Sequence, residues 1–207
     1  LAAKTHNTPR RAVTDILQRP AQVDRSVPAI LEAAEIVIDR LGHDKLSLSQ
    51  IARVSLIPLA RIYQYFADRN AVLGALSARA LSRLSGSLDT RGAWSAQLDE
   101  SQRLDRVIDR FAGFLDNPSA AYLVLCGPFD SASEEPRLEA VHRLATALAH
   151  ALDESAVDEH PYRSVAALDY AAELVFACFR RSYLVDGRIT STAIDMAQHS
   201  VRSFVAH

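Results

Sequence analysis

Apolar side chains recur every third or fourth residue through successive stretches of this chain, and each such stretch predicts a helix. The first runs from about Val27 to Leu41, with Ile30, Ala33, Ala34, Val37, Ile38 and Leu41 on one stripe and Gly42 ending it. A second follows Ser47, whose hydroxyl can accept from the free N–H groups of a first helical turn. It carries Leu48, Ile51 and Ala52 as far as about Val54. After Ser55-Leu56-Ile57 a third begins near Pro58, where a missing N–H has no partner to lose, and turns Ile62 and Phe66 to the same side. Asp68 can cap a fourth, with Val72, Leu73, Leu76, Leu81 and Leu84 along it. Ser85 to Glu100 is richer in Ser, Gly and Asp and reads as a linker in which Trp94, the one tryptophan, is expected to pack on a neighbouring helix.

Beyond the linker the same spacing continues. Leu104, Val107, Ile108, Phe111, Phe114 and Leu115 share a stripe that stops at Asn117-Pro118. Ala120 to Cys126 is a short apolar helix stopped by Gly127-Pro128. Glu135-Pro136 opens another with Leu138, Val141, Leu144, Ala145, Leu148 and Leu152. Pro161 opens the longest, through Val165, Leu168, Ala172, Val175, Phe176 and Phe179 to Gly187. The last, after Thr190, carries Ile194, Ala197, Val201, Phe204 and Val205. The fold class is therefore all-α.

Ser47 to Phe66 organises the head of the molecule. Burying Ile51, Ala52, Ile57, Ile62 and Phe66 together leaves Ser49, Gln50, Leu59, Arg61, Tyr63 and Tyr65 as outer-face candidates. Two short helices across a tight turn make a helix-turn-helix, whose second helix can enter a major groove.

These residues carry a resemblance. Ile30-Leu31-x-Ala33-Ala34 with Gly42, Ser47-Leu48-x-x-Ile51-Ala52, Ile62-Tyr63-x-Tyr65-Phe66 and Asp68-Arg69-x-x-Val72-Leu73 stand in the order found in the TetR family of transcriptional regulators. The resemblance spans residues 26–76, about a quarter of the chain by direct motif. It implies an N-terminal three-helix helix-turn-helix domain over 25–72 and a C-terminal helical ligand-binding and dimerisation domain over 73–207. Residues 1–24, with Lys4, Arg10, Arg11 and Arg19, precede them as an arm, read first as a mobile terminus and second as a contact to DNA phosphate or a minor groove. The DNA-contacting set it implies is Ser47, Ser49, Gln50, Leu59, Ala60, Arg61, Tyr63, Gln64, Tyr65 and Arg69. Arg61 is the expected reader of a guanine edge, and Arg69 the expected phosphate clamp. The chain departs from the family pattern twice. Leu56 stands where the turn usually has Gly, which predicts a turn of different shape, since a non-Gly residue at positive φ is costly. Pro58 replaces the usual Ser or Thr that caps the recognition helix.

Charge sharpens the picture. The 207 residues carry a net charge of −2, yet residues 1–85 hold 12 Lys/Arg against 7 Asp/Glu, so a basic head stands on an acidic body. That suits a polyanion at one end. No apolar run is long enough to span a bilayer, and no signal-peptide pattern is evident, so a cytoplasmic protein without membrane contact is expected. Cys126 and Cys178 lack CxxC spacing, which points to a reducing compartment and no metal framework while leaving a bridge between them open. No nucleophile with a base, paired carboxylates, HxxxH or Gly-rich phosphate loop has usable spacing, so neither catalysis nor a cofactor is expected.

The Val165–Phe179 helix is apolar nearly all round, more than one monomer core easily covers. With the family resemblance this predicts a homodimer through the last two helices, its two heads meeting a palindromic DNA operator about one helical turn apart. The resemblance further implies a small-molecule effector, with repression as the usual mode. Phe111, Phe114, Tyr122, Phe129, His142, Tyr170, Phe176 and Arg180 are the candidates for its pocket, each with ordinary core or surface as the plainer reading. Arg180-Arg181 is expected first to pair with Glu173 or Asp169, and second to meet a carboxylate effector. The alternative function is a dimeric helical ligand-binding protein with weakened or lost DNA binding.

Overall fold

The computed structural model describes residues 25–88, 98–128, 131–152 and 161–206. The N-terminal arm, Trp94 and Phe129 lie outside the described residues. Those residues form helices α1 (Ser26–Leu41), α2 (Leu48–Ser55), α3 (Leu59–Ile62), α4 (Arg69–Ser87), α5 (Glu100–Phe114), α6 (Pro118–Leu125), α7 (Ser131–Ala151), α8 (Val165–Asp186) and α9 (Ser191–Val205). Two single turns of 3₁₀ helix, His43–Lys45 and Pro161–Arg163, precede α2 and α8. No strand occurs among the described residues.

Local chemistry sets most helix starts. Ser47, Asp68, Asn117, Ser164 and Thr190 each accept a hydrogen bond from the backbone N–H three residues on. Asp99 and Gln102 form a reciprocal capping box at α5. Gly42 ends α1 at φ 85°, donating its N–H to the Ile38 carbonyl. Gly187 ends α8 in the left-handed region.

Four expectations are corrected. Leu41, the last residue of α1, is 53% exposed and lies outside the buried α1 stripe, where the helix ends and the chain turns away at Gly42. The linker begins later than Ser85: α4 continues to Ser87, with the Ser85 and Ser87 hydroxyls donating to the Leu81 and Leu84 carbonyls, and Leu88 is buried. Pro136 does not open α7 but stands inside it. The lost bond falls near the helix N-terminus, where the penalty is smallest. Pro161 opens only the 3₁₀ turn, and Ser164 caps the long helix.

The turn between α2 and α3 supplies a fifth correction. Leu56 adopts φ 58°, ψ 19°, the left-handed conformation that a glycine would take, and is 88% exposed. The turn thus keeps its shape and carries strain instead. The Ile57 N–H bonding the Ser55 hydroxyl at 3.2 Å helps hold it. Left-handed backbone costs a Cβ-bearing residue roughly 1–2 kcal/mol, against about 0.5–1 kcal/mol of extra chain entropy for glycine. Leu56→Gly is therefore expected to stabilise the protein by about 0.5–1 kcal/mol, read as a higher urea midpoint at unchanged slope. A lower midpoint would contradict the strain.

The core runs unbroken from head to body. In the head, Ile30, Ala34, Ile51 and Ile62 are fully buried, with Phe66 beside them and Ala52 and Ile57 packed on the edge. In the body, Phe111 of α5 meets Phe176 and Phe179 of α8 at ring-centroid distances of 4.7 and 5.1 Å. Helix α4 belongs to both, burying Val72, Leu76 and Leu84 between α1 at one end and α5, α6 and α7 at the other. Ser182 locks the α8–α9 corner: its hydroxyl donates to the Arg188 carbonyl and accepts from the Thr190 N–H. Arg163 ties the foot of the bundle, bonding the Val205 carbonyl and Glu100. Arg202 joins α9 to Asp105 of α5, a carboxyl that burial nonetheless pushes above the usual carboxylate range. Both cysteines are free and half-buried, and burial raises both thiols.

Candidate nucleic-acid interface

Helices α2 and α3 place the predicted residues in two groups. Ser49, Ala60, Arg61, Tyr63 and Gln64 are exposed; Ser47, Gln50, Leu59, Tyr65 and Arg69 are half-buried. Helix α3 is a single α-turn, Leu59–Ile62, continued by tighter bonds from Gln64 to Arg61 and Tyr65 to Ile62 before Phe66 returns inward. Proline at 58 leaves its first N–H groups without a capping hydroxyl. Ser47 and Gln50 engage each other: the hydroxyl accepts from the Gln50 N–H at 3.3 Å and donates to Gln50 Oε1 at 3.2 Å.

Arg61 is the most organised exposed group on this face. Its Nε–H donates to Ser26 Oγ at 3.3 Å, and its Nη2 donates to the Tyr65 hydroxyl at 3.0 Å. The guanidinium carbon is 5.6 Å from the Tyr65 ring centroid. Among the described residues, partners from two different parts of the chain thus hold this exposed guanidinium. Such preorganisation lowers the entropy lost when the fork meets a planar acceptor pair. Ser26 was absent from the predicted set. It lies 35 residues away, and nothing in the local pattern marks it.

Arg69 is directed elsewhere. Its Nη2 donates to the His43 carbonyl at 2.8 Å, and its Nε is buried without a hydrogen bond. The His43 ring stacks on Tyr122 of α6, with centroids 3.6 Å apart and planes 16° from parallel. Arg69, His43 and Tyr122 therefore form a seam between head and body. Burial raises the Tyr122 phenol there.

The expected effector residues that lie among the described residues do not converge on one of the cavities found there. Phe111 and Phe176 belong to the aromatic core, and Phe114 borders a small cavity of about 260 Å³ beneath α1 and α6. Tyr122 is stacked on His43, and Tyr170 is 72% exposed on the outer side of α8. His142 faces Asp169 at 3.3 Å on the surface and borders an open groove between α4 and α7. Among the described candidates, Phe176 and Arg180 share a cavity, of about 380 Å³, between α6, α7 and α8. Glu173 and Asp169, the expected partners of Arg180-Arg181, are engaged by Arg137 and His142 of α7 instead. Helix-to-helix pairing across the bundle wins over pairing along α8.

No family model and no curated protein sequence matches the chain. Solved structures do. A TetR-family transcriptional regulator from Streptomyces coelicolor superposes with a TM-score of 0.60 at 19% identity, covering 87% of this chain and 97% of the other. A TetR-like transcriptional regulator from a Rhodococcus species gives 0.56 at 18% identity over 86% and 94%. The fatty acid degradation regulator FadR from Bacillus halodurans gives 0.57 at 15% identity over 86% and 94%. At these identities the likeness establishes the fold: this chain has the all-helical architecture of TetR-family regulators, with an N-terminal helix-turn-helix and a C-terminal helical body.

Proposed function

We propose that the protein is a sequence-specific DNA-binding transcriptional regulator of the TetR type, without catalytic activity, acting as a dimer on a palindromic operator and released from it by a small molecule. The observation that carries the reading is Arg61, exposed on the second helix of the helix-turn-helix and braced by Ser26 and Tyr65. A braced guanidinium on a helix that can enter a major groove suits bidentate recognition of a guanine edge. Ala60, Tyr63 and Gln64 flank it with small, aromatic and amide contacts.

Pairing follows from α8. Its inner face is filled by Leu168, Ala172, Val175 and Phe179, yet Tyr170, Leu174, Leu184 and Val185 remain exposed on the other side. An apolar stripe of this length on a long helix fits a second copy of itself. Two-fold pairing through α8 and α9 supplies the two heads that a palindrome requires. Leu174→Glu combined with Leu184→Glu is expected to convert a sedimenting dimer to monomer while leaving the helical circular dichroism unchanged.

Selection of binding sites from random duplex DNA with the purified protein tests the reading. Enrichment of a two-fold-symmetric site, with affinity falling steeply as salt rises, is the expected result. Absence of enrichment over bulk DNA would refute it for the ligand-free protein and favour the alternative of a dimeric helical ligand binder.

A further inference from the structure

We infer that Leu56, at the turn between α2 and α3, is a specificity-determining residue that packs on the C5-methyl group of a thymine in the operator. The inference rests on the regulator reading and adds a base that the site must contain.

Leu56 is unfavourable to the folded chain in two ways at once. It is the one non-glycine residue at positive φ among the described residues, at φ 58° and ψ 19°. It is also 88% exposed, more than any other large apolar side chain described. Glycine would close the same turn without a Cβ penalty, and a polar side chain would keep its hydration. Folding therefore gains nothing from leucine here. Strain that the surrounding structure holds in place is characteristic of sites that bind. This turn is held on both flanks. The Ile57 N–H donates to Ser55 Oγ at 3.2 Å, and the Ile57 side chain packs against the core. Pro58 follows at φ −55°, an angle its ring fixes. Leu56 is thus an apolar side chain presented to solvent on a braced turn.

Its position selects the partner. The N-terminal end of a recognition helix is the end that meets base edges, and Leu56 stands just before Pro58 and α3 at that end. Pro58 and Ala60 are exposed beside it in sequence, and none of the three side chains carries a charge or a polar atom. A phosphate or a guanine edge offers such a side chain nothing, whereas thymine places an apolar methyl group in the major groove. Packing that methyl against leucine removes apolar surface of both from water. Other strongly exposed apolar side chains stand away from the head. Tyr170, Leu184 and Val185 lie on α8, on the side proposed for pairing, and Met196 lies on α9. In the head, Arg61 supplies a polar reader and Leu56 an apolar one.

The experiment uses the full chain and its selected duplex. Each thymine of the half-site is replaced in turn by deoxyuridine, which removes the C5-methyl group and leaves the pairing edge unchanged. At one position the parent protein is expected to lose affinity by about fourfold per half-site, the worth of burying one carbon of this size. Leu56→Gly and Leu56→Asn should bind the thymine duplex at least about fourfold more weakly per half-site, and the deoxyuridine duplex no more weakly than the thymine one. Glycine and asparagine both accept left-handed backbone, so neither loss can arise from a turn that fails to form. Leu56→Met keeps an apolar side chain and should keep the deoxyuridine penalty. Site selection with L56G should return the base read by Arg61 with the thymine preference gone. A penalty of equal size in the parent and in the Gly and Asn variants would assign the methyl contact to another side chain, such as Ala60, and overturn the inference. Absence of any penalty in the parent would overturn it too. Either result on a palindrome still read through Arg61 removes this inference alone, whereas failure to select any duplex removes the regulator reading with it.

Discussion

Arg61→Ala is expected to weaken binding to a selected palindromic duplex by roughly 5- to 150-fold for each recognition helix, the equivalent of about 1–3 kcal/mol for a good bidentate base contact. The loss should be concentrated at one base pair of each half-site, where discrimination against the wrong base collapses. A phosphate contact would behave otherwise, weakening all sequences alike and lowering the salt slope by about one. Arg61→Lys keeps the charge but loses the planar fork, so it should resemble the alanine variant in specificity while retaining more non-specific affinity. Ser26→Ala and Tyr65→Phe leave the guanidinium in place and remove one brace each, at 3.3 and 3.0 Å. Their expected effect is smaller, about 0.5–1.5 kcal/mol, and it should appear as looser specificity at the same base pair. Arg61 is exposed, so its removal should change folding stability by no more than about 0.5 kcal/mol. Measured affinities on single-base variants of the site decide the matter; a uniform loss across all of them would recast Arg61 as a phosphate contact.

What was legible in the chain was local. Ser47, Asp68 and Thr190 cap helices because a short polar side chain reaches an N–H three residues on, and that relation is printed in the sequence. The head core of Ile51, Ile62 and Phe66 was legible for the same reason, since three- and four-residue spacing fixes one face of a helix. What escaped was pairing between distant residues. The Ser26 brace on Arg61, the Arg69 bond to the His43 carbonyl and the stack of His43 on Tyr122 have no local signature. They arise only once α1, α4 and α6 are packed together. Leu56 shows a different limit: propensity argued for a reshaped turn, and leucine adopts the left-handed geometry at the end of α2 all the same. Helix α8 shows a third. Its buried stripe of Leu168, Ala172, Val175, Phe176 and Phe179 was legible, but a stripe does not say which distant helix fills it, and the cluster with Phe111 of α5 is set only by packing.

That partnership is why Phe111 proved to be core rather than pocket lining, and Phe111→Ala measures the consequence. Phe111 is fully buried between Phe176 and Phe179, in tilted and edge-on contact. Truncating a phenyl ring in such a setting removes its burial and leaves a void that the bundle only partly fills, at about 3–5 kcal/mol. Arg202 fastens Asp105 on the same helix to α9, and Leu104, Val107 and Ile108 anchor α5 along its length, so collapse into the void is opposed on both sides. The upper part of the range is therefore expected, a large fraction of the stability of an ordinary domain. A residue lining an open effector space would behave differently, because solvent or ligand already occupies the volume its ring faces. The two roles separate in one comparison. Chemical denaturation of Phe111→Ala should show a loss of at least about 3 kcal/mol, whereas Tyr170→Ala, at a position 72% exposed, should lose no more than about 0.5 kcal/mol. A Phe111 variant that kept its stability would return an open space to the centre of the bundle, against the packing of three phenyl rings found there.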